Sequence, residues 1–373
     1  MSHKRLFIPG PSEVRAEILQ ALATPQIGHR SGDYSKLHEN CVRKLQKFLS
    51  IDETSKDNVL IFTCSSSGVM EGAVRNTCAK RCANFINGAF SKRWHVITKS
   101  NGIPCDKYEL EMGKAITPKY VDDCLAKADY DAMTVVWNET STGVQSPIPE
   151  IAKLMKEKYP NVMFLVDAVS NMAGVKISPA EINVDVILAG VQKCFALPAG
   201  LAVAYISPKA YEKAKTIEFR GCYTDFIDMA KKQIEKFQTP STPSIPHMFA
   251  LDKQMDYINA EGDKRYARHH AMAEKVRGYA LDKWGKDSLF AEKGYESETL
   301  TCIKNTRGIS IDKLNKELGK EYMQISNGYG DLKEKTFRIA HMGDTQIYEI
   351  DGLLNAIERI IGTKGKDLMP DPK

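Results

Sequence analysis

The first half of the chain alternates short apolar runs with longer segments in which apolar and polar residues recur at helical spacing. The apolar runs predict buried strands at 58–63, 132–137, 162–166, 184–188 and 201–206. One helix is predicted to begin near Met70, and another is predicted to cover 150–159. This alternation is typical of an α/β domain in which a mostly parallel sheet is covered by helices.

The pattern changes from about residue 247. Long helical segments at 247–260 and 265–284 precede strand-like runs at 298–303 and 335–340, and a last helix is predicted over 346–361. We therefore expect a large domain with an N-terminal arm at residues 1–253 and a smaller C-terminal α+β domain at residues 254–373. The last ten residues, which are rich in Lys, Pro and Gly, are predicted to form a frayed tail.

Length and charge limit the function classes. A chain of 373 residues usually forms more than one domain. Its 52 basic and 47 acidic residues leave a net charge of +5 without a dense basic run, so we expect no nucleic-acid partner. No apolar stretch approaches the length of a membrane span, and the first residues lack the apolar region of a signal peptide. We expect a cytoplasmic protein that does not bind membranes.

The nine cysteines are scattered along the chain and contain no C-x-x-C pair. Cys78 and Cys82 are the nearest to each other, and no further ligands follow them at zinc-site spacing. We interpret the set as reduced structural thiols and expect no metal site.

Polar residues follow four of the predicted strands, at the sheet edge where open parallel sheets bind ligands. They are found at 65–68, at 138–143, at Asp167 and at 192–193. Ser65, Ser66 and Ser67 precede a helix, where backbone N–H groups attract anions, although an ordinary N-cap has the same composition. The loop lacks the Gly-Lys-Ser/Thr ending of a Walker A motif.

Asp167 and Lys193 suggest a cofactor only when they are taken together. An Asp at a strand end is more often a helix cap, and a single Lys there is usually solvated. An acid and a lysine on successive strand ends, beside an anion loop, match the needs of pyridoxal phosphate. That cofactor takes a lysine for its Schiff base, an acid for its ring nitrogen and a cup for its phosphate.

Six segments carry a family resemblance: 7–12 (FIPGPS), 27–31 (IGHRS), 139–144 (ETSTGV), 166–170 (VDAVS), 190–193 (GVQK) and 337–343 (FRIAHMG). In their order and spacing they resemble the class V aminotransferases, which are pyridoxal-phosphate enzymes of fold type I. The resemblance extends over nearly the whole chain. It points in particular to the alanine–glyoxylate/serine–pyruvate group and the related phosphoserine aminotransferases.

The resemblance implies roles for three residues that act on the substrate. Lys193 would form the Schiff base and then act as general base and acid. Asp167 would keep the pyridine nitrogen protonated, so that the ring accepts electrons from the substrate Cα. Arg338 would bind the substrate α-carboxylate through its planar fork of donors.

The resemblance also implies the residues that hold the cofactor. Phe90 would stack on its ring in place of the Trp that is frequent in relatives, and Thr140 would bind its phenolic oxygen. Its phosphate would be bound by Ser65, Ser66, Ser67 and Gln192. Thr242, and with less support Thr239, would reach the phosphate across the interface of a homodimer. Each active site would then be shared between two chains.

His29 and Arg30 leave two interpretations open. Arg30 could pair with a carboxylate near the interface, or the two side chains could attract an acidic group or phosphate of the substrate. Phosphoserine aminotransferases carry such a pair and usually a second His-Arg shortly before the carboxylate-binding arginine. This chain has Asp331–Lys335 there instead, where Lys333 offers only a point charge.

The sequence therefore predicts a homodimeric aminotransferase with a ping-pong mechanism through pyridoxamine phosphate. The donor is expected to be alanine or serine, and the acceptor glyoxylate, pyruvate or 2-oxoglutarate. The alternative is the phosphoserine aminotransferase of serine biosynthesis. A cysteine desulfurase or another lyase usually has Ser-x-His-Lys where this chain has Gly-Val-Gln-Lys. A non-enzymatic α/β binding protein would leave the placement of Lys193, Asp167 and Arg338 as coincidence.

Overall fold

The fold was analysed in a computed structural model that describes residues 3–371. The strands are β1 Arg5–Phe7, β2 Asn58–Phe62, β3 Cys82–Ile86, β4 Cys105–Glu109, β5 Ala132–Val136, β6 Asn138–Glu139, β7 Val144–Gln145, β8 Met163–Asp167, β9 Val186–Gly190, β10 Ala202–Ile206, β11 Leu300–Lys304, β12 Met323–Asn327 and β13 Thr336–Ala340. The helices are α1 Ala16–Leu22, α2 Gly32–Phe48, α3 Ser66–Thr77, α4 Ala89–Ser100, α5 Pro118–Leu125, α6 Ile148–Lys158, α7 Pro179–Ile182, α8 Pro208–Lys215, α9 Phe226–Lys236, α10 Ile245–Glu261, α11 Asp263–Lys283, α12 Ile311–Lys320 and α13 Ile347–Lys364.

Seven strands form a large sheet in the order β2-β10-β9-β8-β5-β3-β4. The neighbours from β9 to β4 are parallel, whereas β10 runs antiparallel to both β2 and β9. Successive residues of β2 pack on opposite faces: Val59 and Ile61 join one apolar core, and Leu60 and Phe62 join the other. Because helices cover both faces, the inner strands are buried along their whole length and consist mostly of apolar residues. The predicted mostly parallel sheet covered by helices is confirmed.

A second sheet has four strands in the order β1-β12-β13-β11. Together with α11, α12 and α13 it encloses a third apolar core. Its edge strand β1 comes from the N-terminal arm, where Arg5 and Phe7 pair in parallel with Met323 and Ile325. The arm is therefore part of the small α+β unit, although the predicted division places it in residues 1–253.

Several predicted boundaries differ from the structure. Helix α3 begins at Ser66 rather than near Met70, because the serine loop itself forms its first turn. Helix α13 extends to Lys364, beyond the predicted 361. The predicted frayed tail is wrong for the described part of the C-terminus, since Leu368 is buried in the third core and its carbonyl accepts a hydrogen bond from the Ser310 N–H. Residues 372–373 lie outside the described part.

Two further expectations concern the chain as a whole. All nine cysteines are free: six are buried, two are half-buried and Cys222 is exposed. Within residues 3–371, no helix combines the length and the apolar character that crossing a membrane requires.

Candidate active site

The polar strand ends of the large sheet meet at one pocket of about 170 Å³. The residues that line it are Ser65, Ser66, Ser67, Met70, Phe90, Arg93, Asn138, Thr140, Asp167, Val169, Ser170, Gln192 and Lys193. Eight of the predicted site residues are therefore brought together: Ser65, Ser66, Ser67, Phe90, Thr140, Asp167, Gln192 and Lys193. They come from loops that follow β2, β3, β5, β8 and β9.

Lys193 follows β9 and is 6% exposed. Its Nζ donates to Thr140 Oγ1 at 2.8 Å and to Ser170 Oγ at 2.7 Å. Burial lowers the pKa of Lys193 to about 8, and the nearby Asp167 carboxylate opposes this shift. A sizeable fraction of the side chain is thus a neutral amine near pH 7–8, which nucleophilic attack and proton transfer both require.

Asp167 is the last residue of β8 and is almost completely buried. Its Oδ1 accepts a hydrogen bond from the Val169 N–H at 2.7 Å. Burial raises the pKa of Asp167 to about 6, against the effects of that hydrogen bond and of the Lys193 charge. At neutral pH it is a buried carboxylate inside the pocket, and such a group stabilises a protonated ligand nitrogen.

The serine loop forms the part of the pocket at the N-terminus of α3. Ser65 is the N-cap residue of α3, with extended backbone and no capping hydrogen bond from its side chain. The helix beyond it is 12 residues long, so its N-terminal N–H groups carry the positive end of a helix dipole. Three hydroxyl groups and these N–H groups form a suitable environment for a phosphate.

Phe90 lines the same pocket and lies in the first turn of α4. Its backbone N–H and that of Ser91 donate to the buried Glu139 carboxylate at 3.1 and 2.9 Å. This anchoring fixes the start of α4 against the β6–β7 ribbon. The Phe90 ring centre lies 4.9 Å from Lys193 Nζ, so the ring presents an apolar face beside the amine.

Arg338 lies on β13 beside the pocket, although it does not line it. Its Nη1 donates to the Thr140 carbonyl at 3.3 Å, and its Nε and Nη2 donate to the Asn327 carbonyl at 3.3 and 3.0 Å. Burial lowers the pKa of the guanidinium from its usual value. Within residues 3–371 it forms no ion pair, so its charge is available to a carboxylate ligand.

The remaining predicted residues lie elsewhere. Thr239 and the exposed Thr242 line a separate small cavity beside Thr63. Arg30 donates to the carbonyls of Thr239 and Pro240 at 2.6 and 2.9 Å, and therefore holds this loop instead of pairing with a carboxylate. His29 is half-buried next to it and does not line the pocket around Lys193.

Several pocket residues were missed from the sequence. Ser170, Asn138 and Arg93 line the pocket but were assigned no role, although Ser170 and Asn138 lie in or beside the motifs at 166–170 and 139–144. Ser12 Oγ donates to the Lys193 carbonyl at 2.6 Å. Gly10, with a φ of +94°, approaches so closely that a Cβ there would lie 2.9 Å from Lys193 Cγ. Gly10 and Ser12 both lie in the motif at 7–12, and this motif is the sequence feature that could have indicated their contact with Lys193.

No cluster of three or more His, Cys, Asp or Glu side chains within residues 3–371 is arranged to hold a metal ion.

Comparisons with known proteins agree with this geometry. Residues 16–331 match the family described as aminotransferase class-V. The chain is 36% identical to an uncharacterized aminotransferase of Methanocaldococcus jannaschii, over 95% of this chain and 92% of that one. It is 30% identical to a serine–glyoxylate aminotransferase of Hyphomicrobium methylovorum, over 97% and 91%. It superposes with a TM-score of 0.86 on a phosphoserine aminotransferase of Cytophaga hutchinsonii. The two chains are 26% identical, and the superposition covers 97% of this chain and 100% of that one. The chain therefore belongs to the class-V aminotransferases, the pyridoxal-phosphate-dependent transaminases.

Proposed function

We propose that this enzyme transfers the amino group of a small L-amino acid, alanine or serine, to glyoxylate, pyruvate or 2-oxoglutarate. One observation carries the proposal: a buried lysine of lowered pKa lies near a buried carboxylate and an aromatic face, and the buried arginine beside the pocket has no acidic partner among residues 3–371. These are the groups needed to hold pyridoxal phosphate and to bind an amino acid beside it.

The pocket fits the cofactor by the chemistry of its donors. Ser65, Ser66, Ser67 and Gln192 would hold the phosphate, Phe90 the ring face, and Asp167 the ring nitrogen. Asn138 Oδ1 is buried in this pocket without a hydrogen-bond partner, so it can accept from a bound molecule. When bound, pyridoxal phosphate withdraws electrons from the amino-acid Cα and retains the amino group between two half-reactions.

The chain's own residues then supply the proton transfers. Lys193, neutral in part because of its burial, would take the proton from the donor Cα and deliver it to the carbon on the other side of the amino nitrogen, which is the proton shift that a transamination requires. Thr140 and Ser170 direct its Nζ through their hydroxyl oxygens. Asp167 holds the proton on the ring nitrogen, and the free N–H groups of Arg338 bind the α-carboxylate.

The structure offers a specific argument on the donor. A phosphoserine donor would need a second cationic group, and Lys333 is the candidate in the segment 331–335. Its Nζ lies 3.1 Å from Asp312 on the surface, and the side chain is 63% exposed. Because this ion pair already occupies the lysine, we favour a small neutral donor. The 30% identity to a serine–glyoxylate aminotransferase supports the same choice.

We also propose a homodimer with shared active sites. Thr242 is exposed on its own chain and lies outside the pocket around Lys193. Arg30 fixes the loop that carries it, through the Thr239 and Pro240 carbonyls. In a dimer this loop would reach the phosphate end of the partner's pocket.

The proposal is tested by absorbance of the purified protein loaded with pyridoxal phosphate. Addition of L-alanine or L-serine is expected to bleach the yellow band, and glyoxylate or pyruvate is expected to restore it. Bleaching by L-phosphoserine alone would favour the alternative of serine biosynthesis. A protein that shows no yellow band after addition of the cofactor would refute the proposal, and Lys193→Ala provides the matched negative control.

A further inference from the structure

Tyr329 connects the small domain to the pocket wall of the large domain. It follows β12, and its ring centre lies 5.4 Å from that of Phe90. The guanidinium carbon of Arg338 lies 5.6 Å from the same Tyr329 ring. Tyr329 therefore contacts both Phe90, which would hold the cofactor ring, and Arg338, which would bind the substrate α-carboxylate.

The backbone around Tyr329 is tightly constrained. The Gly328 N–H donates to the Thr336 carbonyl at 2.8 Å, and the Leu332 N–H donates to the Tyr329 carbonyl at 3.1 Å. A Cβ at Gly328 would lie 1.9 Å from the Leu332 carbonyl oxygen, so only glycine fits there. The ring is thus presented toward Phe90 by a fixed turn, not by a freely moving loop.

Phe90 is equally constrained, because Glu139 holds the backbone at the start of α4. The two ring planes meet at an angle of 44°, with Lys193 Nζ near the Phe90 ring and the Arg338 guanidinium near the Tyr329 ring. An amino acid bound through its carboxylate to Arg338, with its amino group toward Lys193, has to place its side chain beside these rings.

We propose that Tyr329 and Phe90 form an aromatic gate that limits the donor side chain to about the size of alanine or serine. This inference rests on the proposed function, in which Arg338 binds the α-carboxylate. Tyr329 is 37% exposed, so removal of its ring opens the gate to solvent without leaving a buried cavity. The gate can therefore be opened without loss of the fold.

The experiment compares Tyr329→Ala with Tyr329→Phe, and uses Tyr348→Ala as the matched control, since Tyr348 is 69% exposed on α13. The value of kcat/KM is measured for L-alanine, L-2-aminobutyrate and L-norvaline. Tyr329→Ala is expected to raise the ratio of norvaline to alanine by at least about tenfold. Tyr329→Phe keeps the ring and is expected to keep the wild-type ratio, as is Tyr348→Ala.

A binding series separates this inference from the proposed function. The dissociation constants of acetate, butyrate and hexanoate are measured by calorimetry with the loaded wild-type enzyme and Tyr329→Ala. A gain in affinity for hexanoate relative to acetate in the variant supports the gate. If the wild-type enzyme uses neither alanine nor serine, only the proposed function is refuted, and this gain would still support the gate. An unchanged ratio of affinities, or an equal loss for all three acids, would overturn the gate. An equal loss would mean that Tyr329 only orients Arg338.

Discussion

The Nζ atom of Lys193 lies 2.7 Å from the hydroxyl oxygen of Ser170, a residue three positions after Asp167 in the chain. Ser170 Oγ also lies 2.5 Å from Thr140 Oγ1, so the amine is held by two hydroxyl groups that contact each other. The direction of the Lys193 amine is thus set by side chains from two different strand ends.

Ser170→Ala is expected to lower kcat about five- to tenfold, because the loss of one hydrogen bond costs about 1 kcal/mol and leaves Nζ less well directed. Steady-state kinetics with L-alanine measures the effect. Ser100→Ala, at the exposed end of α4, is the control and should behave as wild type. An unchanged kcat in Ser170→Ala would show that Thr140 alone orients the lysine.

The lowered pKa of Lys193 predicts how cofactor uptake depends on pH. Only the neutral amine is a nucleophile, and burial brings its pKa to about 8. The rate at which cofactor-free protein takes up pyridoxal phosphate should therefore rise about tenfold per pH unit below pH 8 and level off above it. Absorbance stopped-flow follows this rate. A rate that still rises steeply up to pH 10 would show that the amine retains its ordinary pKa.

Asp167→Asn tests how much the burial of the Asp167 carboxyl group changes the free energy of unfolding with pH. In the folded chain its pKa is about 6, against 3.8 for an ordinary Asp, so the wild-type protein loses stability as pH rises from about 4 to about 6. The amide has no such dependence. In cofactor-free protein, the stability of the variant relative to wild type should increase by about 2–3 kcal/mol between pH 4 and pH 7. Urea unfolding measures this difference, with the exposed Asp287→Asn as the control.

The same Asp167→Asn substitution should lower kcat of the loaded enzyme at least about a hundredfold, because a neutral amide does not hold a proton on the ring nitrogen. Turnover with L-alanine measures this loss. A variant that keeps the wild-type rate would remove Asp167 from the mechanism, whatever its stability.

Arg338→Ala is expected to raise KM about 10- to 100-fold for every amino donor, since all donors share the α-carboxylate that two charged hydrogen bonds would hold. Arg338→Lys keeps the charge without the planar fork and should recover only part of the loss. Arg359→Ala, which breaks an exposed ion pair with Glu321, is the control. An effect limited to one donor would show that Arg338 contacts a side chain instead.

The shared active site predicts complementation between two inactive variants. Lys193→Ala removes the amine, and Thr242→Glu places a carboxylate where the phosphate of the partner's site is expected. After unfolding and refolding of an equal mixture, half of the dimers are hybrids, and each hybrid has one intact site. Activity should recover to about a quarter of wild type. No recovery would place Thr242 in the site of its own chain, whereas a Thr242→Glu homodimer that is active by itself would place Thr242 outside any site.

The strands of the large sheet could be predicted where they are apolar throughout, as at Val186–Gly190. Strand β4 could not, because Cys105–Glu109 is a partly exposed edge strand whose polar residues hide the pattern. The direction of β10 was also out of reach, since an antiparallel and a parallel strand buried on both faces have the same composition.

Residues of the candidate site could be predicted from the sequence where they belong to a motif at the end of a strand. This applies to Asp167 and Lys193, which meet in one pocket as expected. Tyr329 and Ser12 act at the site through contacts between segments far apart in the chain, and no local pattern reports such contacts. The contact of Arg30 with the Thr239 carbonyl is of the same kind.

The pairing of Arg5 with Met323 has a consequence for the order in which a ribosome completes this enzyme. The N-terminal arm emerges first, yet its partner strand is synthesised only after the whole large sheet. Ser12, which holds the Lys193 carbonyl, lies a few residues beyond that strand. The nascent large sheet therefore carries Lys193, with the two hydroxyl groups that hold its amine, before the arm can be anchored beside the backbone of this lysine.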